Sequence, residues 1–120
     1  VAILVAVASA TFQKEFDIMP YAQIFTYTLD IPEEEYATRW ASYAKEVAEV
    51  PGLLSKTWIA DFETATFASF YVWDSKASAD RFMTSALVAR FGAEPFLRDL
   101  SITAAPVAEG ASRITRGLPG

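Results

Sequence analysis

Lys56 and Trp58 hold alternate positions in the run LLSKTWIA, Leu53 to Ala60, and Tyr71 stands in a second aromatic run, TFASFYVW. A lysine placed among aromatic side chains can do two kinds of chemistry. As a cation it stabilises an enolate or phenolate; as an amine whose pKa is depressed by burial it takes a proton. The same lysine at a strand edge could instead snorkel its head into solvent, and the spacing leaves both readings open. A tyrosine hydroxyl such as that of Tyr71 can hold a substrate carbonyl or relay a proton.

Tyr27, Tyr36, Trp40 and Phe82 are the further candidates for lining an aromatic cavity, with Trp58 and Tyr71. Tyr and Trp each offer an apolar body with one polar handle, the composition of a small-molecule pocket. Arg39 and Arg81 could bind a substrate carboxylate, or pair on the surface with Glu35 and the neighbours of Asp80. The acidic run Glu33 to Glu35 fits a helix start rather than a metal site, because adjacent carboxylates fan out around a helix. Asp61 and Glu63 fall in a turn and are expected to be solvated.

What is missing excludes more. The chain has no histidine and no cysteine. Ser-His-Asp and Cys-His catalysis, thiolate zinc and iron–sulfur sites are therefore excluded, as is the usual proximal haem ligand. The five glycines form no P-loop or dinucleotide fingerprint. No metal and no cofactor is expected. A net charge of −5 argues against nucleic acid or an anionic membrane as partner. The expected location is the cytoplasm.

The 120 residues suit one domain with a modest core, and 52% of them are apolar. We expect a single domain over residues 19–120, preceded by an extension of uncertain role, 1–18. The opening VAILVAVASA suits a strand or docking segment. It also has the apolar run and A-S-A ending of a secretory signal without its basic start, and Met19 could be a natural start.

The elements that must position the candidate residues follow from periodicity. YAQIFTYTL, Tyr21 to Leu29, reads as a strand. Asp30 is the expected N-cap of a helix carrying Tyr36, Trp40, Tyr43, Ala44 and Val47 on one stripe, stopped by Pro51-Gly52. Strands Leu53–Ala60 and Thr66–Trp73 flank a turn. Asp74-Ser75 cap a second helix with Phe82, Met83, Ala86 and Leu87 on its apolar face and Gly92 as C-cap. Glu94 to Asp99 adds a helical turn, Leu100–Val107 is the last strand, and the tail is a loop or short helix. The order β-α-β-β-α-β is the ferredoxin-like split βαβ: an α+β fold with an antiparallel sheet and both helices on one face.

Helices on one face leave the other bare. Four strands present roughly 350 Å² of flat sheet before side chains roughen it. The largest apolar patch on a typical monomer is about 300–600 Å². Both faces here are apolar: Phe67, Tyr71 and Trp73 point one way, and Ala68, Phe70 and Val72 the other. A two-fold dimer packing sheet on sheet is the expected solution. Alternation does not say which set meets the helices.

The run VPGLLSKTWIADFETATFASFYVWDSKASADRF resembles the core of the YdhR-type monooxygenases of the dimeric α+β-barrel superfamily. Their pattern is a helix, P-G-hydrophobic, a strand with K-x-W, a polar turn, an aromatic strand ending at Asp, and a second helix. Pro51, Gly52, Leu53, Lys56, Trp58, Tyr71 and Asp74 fit it, and the likeness runs from Tyr21 to Thr115. The resemblance implies a homodimer with a pocket between sheet and helices in each subunit. It further implies a monooxygenase independent of metal and flavin, acting on an aromatic or polyketide-type small molecule. Lys56, Trp58 and Tyr71 are then the catalytic candidates, and Tyr27, Tyr36, Trp40 and Phe82 contact the substrate. A cyclase or isomerase using the same enolate chemistry, and a non-catalytic dimer binding a hydrophobic ligand, are the alternatives. Other members of the superfamily use a histidine for haem or cyclisation, and this chain has none.

Overall fold

The structure, a computed structural model, describes residues 19–118. The expected N-terminal strand or docking segment lies outside these residues. Eight elements follow in order: β1 (Tyr21–Leu29), α1 (Glu33–Ala48), β2 (Leu53–Asp61), β3 (Thr66–Trp73), α2 (Lys76–Met83), α3 (Ala86–Gly92), β4 (Leu97–Pro106) and α4 (Glu109–Ile114). The strands form one antiparallel sheet in the order β2-β3-β1-β4. This is the α+β, ferredoxin-like arrangement, with the central strands β1 and β3 carrying the core.

Alternation along β1 and β3 assigns the faces. Gln23, Phe25 and Tyr27 are buried on β1, and Phe67, Ser69, Tyr71 and Trp73 on β3. The helices supply Trp40, Val47, Ala79 and Phe82 to the same core. On the opposite face Ile24, Ile59 and Phe70 stay 41%, 37% and 37% exposed. The larger aromatic set therefore meets the helices, because each ring buried there removes the most apolar area from water.

Gly52 joins the two halves. It lies at φ +88°, and a Cβ there would stand 2.2 Å from Ser78 Oγ and 2.9 Å from Asp74 Oδ1. Only glycine suits both the positive φ and the contact. Its carbonyl accepts from the Asp74 N–H at 2.8 Å, which ties the end of β3 to the start of β2.

Several local expectations are corrected. Asp30 does not cap α1: Pro32 holds the cap position without a side-chain bond, and Asp30 pairs with Arg98 at 3.2 Å. Proline has no side-chain acceptor to offer, and the carboxylates of Glu33, Glu34 and Glu35 in the first turn complement the positive end of the helix instead. The second helix is two helices. Thr84 Oγ1 donates to the Arg81 carbonyl, and Ser85 Oγ donates to that of Phe82 while accepting from the Val88 N–H. These hydroxyls take over backbone partners, so α2 ends and α3 begins. Gly92 is the last residue of α3 rather than a left-handed cap; Ala93, at φ −90°, follows it. No helix continues over Glu94 to Asp99. Leu29 pairs with Leu97, and the Asp30 N–H donates to the Phe96 carbonyl at 2.9 Å, so the chain enters β4 earlier than expected. Asp99, at φ 55°, takes up a bulge in that strand. The tail forms the short helix α4.

Candidate functional site

Strand register brings Lys56 and Tyr71 side by side. Lys56 pairs with Tyr71 across β2 and β3, and Trp58 with Ser69. All four side chains point to the helix face. Lys56 Nζ donates to Tyr71 Oη at 2.7 Å. The same nitrogen sits 3.4 Å from the Trp58 ring centroid and 4.1 Å from that of Tyr71.

Two effects compete for this amine. The ring faces favour its charged form by about 2 kcal/mol. Taking an ammonium out of water without a carboxylate partner costs several kcal/mol. Burial wins, and pushes Lys56 down to about 6. The amine is therefore mostly neutral near neutral pH. Burial also raises the Tyr71 phenol well above its ordinary value, so that hydroxyl keeps its proton.

A cavity opens beside the pair. Phe25, Tyr43 and Val47 line it with Lys56, Trp58, Ser69 and Tyr71; Phe82, Leu87, Val88 and Phe91 complete it from α2 and α3. Its free volume is about 20 Å³, room for one water-sized guest. No carboxylate lines it. Its α3 wall has no fully buried residue, and is held at the rim by Arg90, which donates to Glu46 of α1 at 2.6 Å. Near that rim Tyr43 Oη donates to Glu94 at 2.7 Å, and burial raises the Tyr43 phenol.

Of the seven residues expected at a site, Lys56, Trp58, Tyr71 and Phe82 meet around this cavity. Tyr27, Tyr36 and Trp40 form an adjoining cluster outside its lining. Tyr36 stacks on Trp40 at 4.5 Å between centroids, and Tyr27 lies 6.5 Å from Trp40. Tyr27 Oη shares a 3.1 Å hydrogen bond with Ser69, which links the cluster to the cavity wall. Burial raises both phenols, Tyr36 to about 12. The Trp40 Nε1–H is buried with no hydrogen-bond partner. Arg39 pairs with Glu35 at 2.8 Å, and Arg81 donates to Ser78 Oγ; neither lines the cavity. Sequence reasoning missed Ser69, Tyr43 and the α3 wall. Ser69 carried a signal: it is the one small polar residue on the face Phe67, Ser69, Tyr71, Trp73, where a missing ring leaves space.

Among the described residues no three acidic side chains cluster as a metal site, and no helix is long and apolar enough to cross a membrane.

The comparisons with known proteins fit this geometry. A sequence model of the family described as "Putative mono-oxygenase ydhR" matches residues 22–118. The chain belongs to the YdhR family. Among solved structures it is similar to SnoaB, a cofactor-independent oxygenase from Streptomyces nogalater, at TM-score 0.63 and 14% identity, covering 76% of this chain and 95% of that one. Rv0793 from Mycobacterium tuberculosis matches at TM-score 0.60 and 20% identity, over 76% and 98% of the two chains. The hydroxynitrile lyase from Passiflora edulis matches at 0.60 and 12%, over 77% and 96%. At such identities the likeness shows the fold alone, and an oxygenase and a lyase both carry it. No curated protein matches by sequence.

Proposed function

We propose that this YdhR-family protein is a cofactor-independent monooxygenase acting on an aromatic or polyketide-type small molecule, working as a homodimer. The observation that carries the reading is the buried, largely neutral Lys56 amine held 2.7 Å from the Tyr71 hydroxyl in an aromatic cavity. Such an amine can take a proton from a carbon or oxygen acid. The ammonium formed then lies beside the new enolate, and each charge stabilises the other. Tyr71, which keeps its proton, donates to the enolate oxygen. The carbanion itself reduces dioxygen: a CH₂ group becomes C=O, one oxygen atom enters the substrate, the other leaves as water, and the substrate supplies all the electrons.

A polycyclic substrate exceeds a free volume of about 20 Å³, so entry requires the α3 wall to move. That wall has no fully buried residue and, unlike β2, no sheet pairing to hold it. The dimer reading rests on Ile24, Ile59 and Phe70, which share the face away from the helices.

Oxygen consumption with a panel of anthrones and quinols tests the proposal. Turnover is expected, with Lys56→Met lowering it at least about 100-fold and Trp58→Phe lowering it less. Normal activity in both variants rejects the site. Turnover without oxygen uptake favours a cyclase or isomerase. A hydrophobic ligand that raises Tm without turnover favours a binding protein. Sedimentation of a lone subunit at micromolar concentration removes the dimer.

A further inference from the structure

We propose that Lys56 also acts as a covalent nucleophile, forming an imine with small aldehydes or ketones that enter the cavity. The inference goes beyond the oxygenase reading and does not depend on it. Three features of the geometry carry it. First, Lys56 lines the cavity, and its nitrogen is held by the Tyr71 hydroxyl rather than by a carboxylate. The titratable groups sharing the cavity are the phenols of Tyr71 from β3 and Tyr43 from α1, while β1, α2 and α3 contribute apolar side chains. Second, Tyr71 Oη lies 2.7 Å from Nζ, placed to pass a proton between nitrogen and a carbonyl oxygen added beside it. Third, the free volume of about 20 Å³ holds about one water, so a carbonyl compound of very few atoms needs far less movement of the α3 wall than a polycyclic substrate does. Burial supports the chemistry by keeping the amine mostly neutral, the form that attacks carbonyls.

The step balances without a further reactant. The nitrogen lone pair adds to the carbonyl carbon, the C=O π bond breaks, and a carbinolamine forms after one proton passes from nitrogen to oxygen. The carbon–oxygen bond then breaks, the second nitrogen-bound proton leaves with that oxygen as water, and the C=N bond closes. Tyr71 carries the protons and regains its own.

Reductive trapping tests this on the full chain. The protein is incubated with acetaldehyde and cyanoborohydride at about pH 7, and each lysine is followed by peptide mapping. At that pH a solvated lysine is neutral in only about one molecule in 2,500. Alkylation at Lys56 is therefore expected at least about tenfold faster than at Lys45, after allowing for restricted access. Its rate should reach half its maximum near pH 6. Tyr71→Phe should slow it without moving Tm by more than a few degrees. Equal labelling of Lys45 and Lys56, or none at Lys56, overturns the proposal, as does a Tyr71→Phe variant that labels at the full rate. Lys56→Met, which keeps the length without the amine, should remove the selective label while remaining folded. Oxygen uptake is measured on the same samples, so loss of either reading leaves the other to stand or fall alone.

Discussion

Two aromatic clusters lie side by side under the helices, and they differ in the small and polar residues set among the rings. Around Tyr36 and Trp40 the rings interlock: Phe62 lies 5.3 Å from Tyr36 and 5.0 Å from Phe67, and Phe96 lies 5.9 Å from Trp40. Around Tyr71 the rings are as dense, with Phe25 at 4.8 Å, Phe82 at 5.3 Å and Trp73 at 5.9 Å. Only this second cluster holds an amine, and its cavity opens at Ser69, where the neighbours on β3 carry rings. An ammonium resists burial and a serine underfills its position. Together they leave space and reactivity where the first cluster has neither. Aromatic content alone therefore does not mark a site; a polar group that packs imperfectly among the rings does.

The comparison can be broken by substitutions in each cluster. The largest effect is expected from Trp40→Ala, which removes the ring at the centre of the filled cluster and should cost about 3–5 kcal/mol in denaturant unfolding. A loss under about 1 kcal/mol would mean that this cluster is not the packed core. Lys56→Met should do the reverse. It replaces a buried amine with an apolar side chain of similar length, so stability near neutral pH should hold or rise while oxygen uptake falls.

The pH dependence sharpens the same contrast. Lys56 is lowered to about 6 in the folded protein, whereas an unfolded lysine titrates at about 10.4. Between these values the unfolded chain binds more protons, so this residue makes stability increase with pH across that window. Below about 6 both states are protonated and the cost of burying the charge is fully present. Urea midpoints measured across the window should climb in the wild type, and the part of the climb due to this lysine should vanish in Lys56→Met. An unchanged slope would mean that the amine is solvated. The smallest effect is expected from Tyr36→Phe, which keeps the ring stacked on Trp40 and should change stability by about 0.5 kcal/mol or less.

Much of this was legible before any coordinates. The run of strand, helix, strand, strand, helix, strand follows from period-two and helical spacing, and Lys56 and Trp58 share a side because they are two apart. Other features were not legible. Thr84 and Ser85 read as ordinary helix residues until their hydroxyls are seen on the Arg81 and Phe82 carbonyls. Asp30 looked like a cap because its type and position allow one. Its distant partner Arg98, on the strand beside β1, was invisible to local reasoning. Tyr27, Tyr36 and Trp40 are chemically as suited to a pocket as Trp58, and only packing separates them from it.

Residue order alone settled the four strands and the first helix, that thiol and imidazole chemistry are excluded, and that both sheet faces carry apolar side chains. Those are local or compositional properties, set by backbone sterics and by which atoms are present. Tertiary structure decided which face the helices cover, where the rings leave room, and that Lys56 loses much of its solvent without gaining a carboxylate. The last is decisive for chemistry, because a lysine's charge depends on everything that surrounds it in space, and neighbours on other strands and helices cannot be read from its own segment.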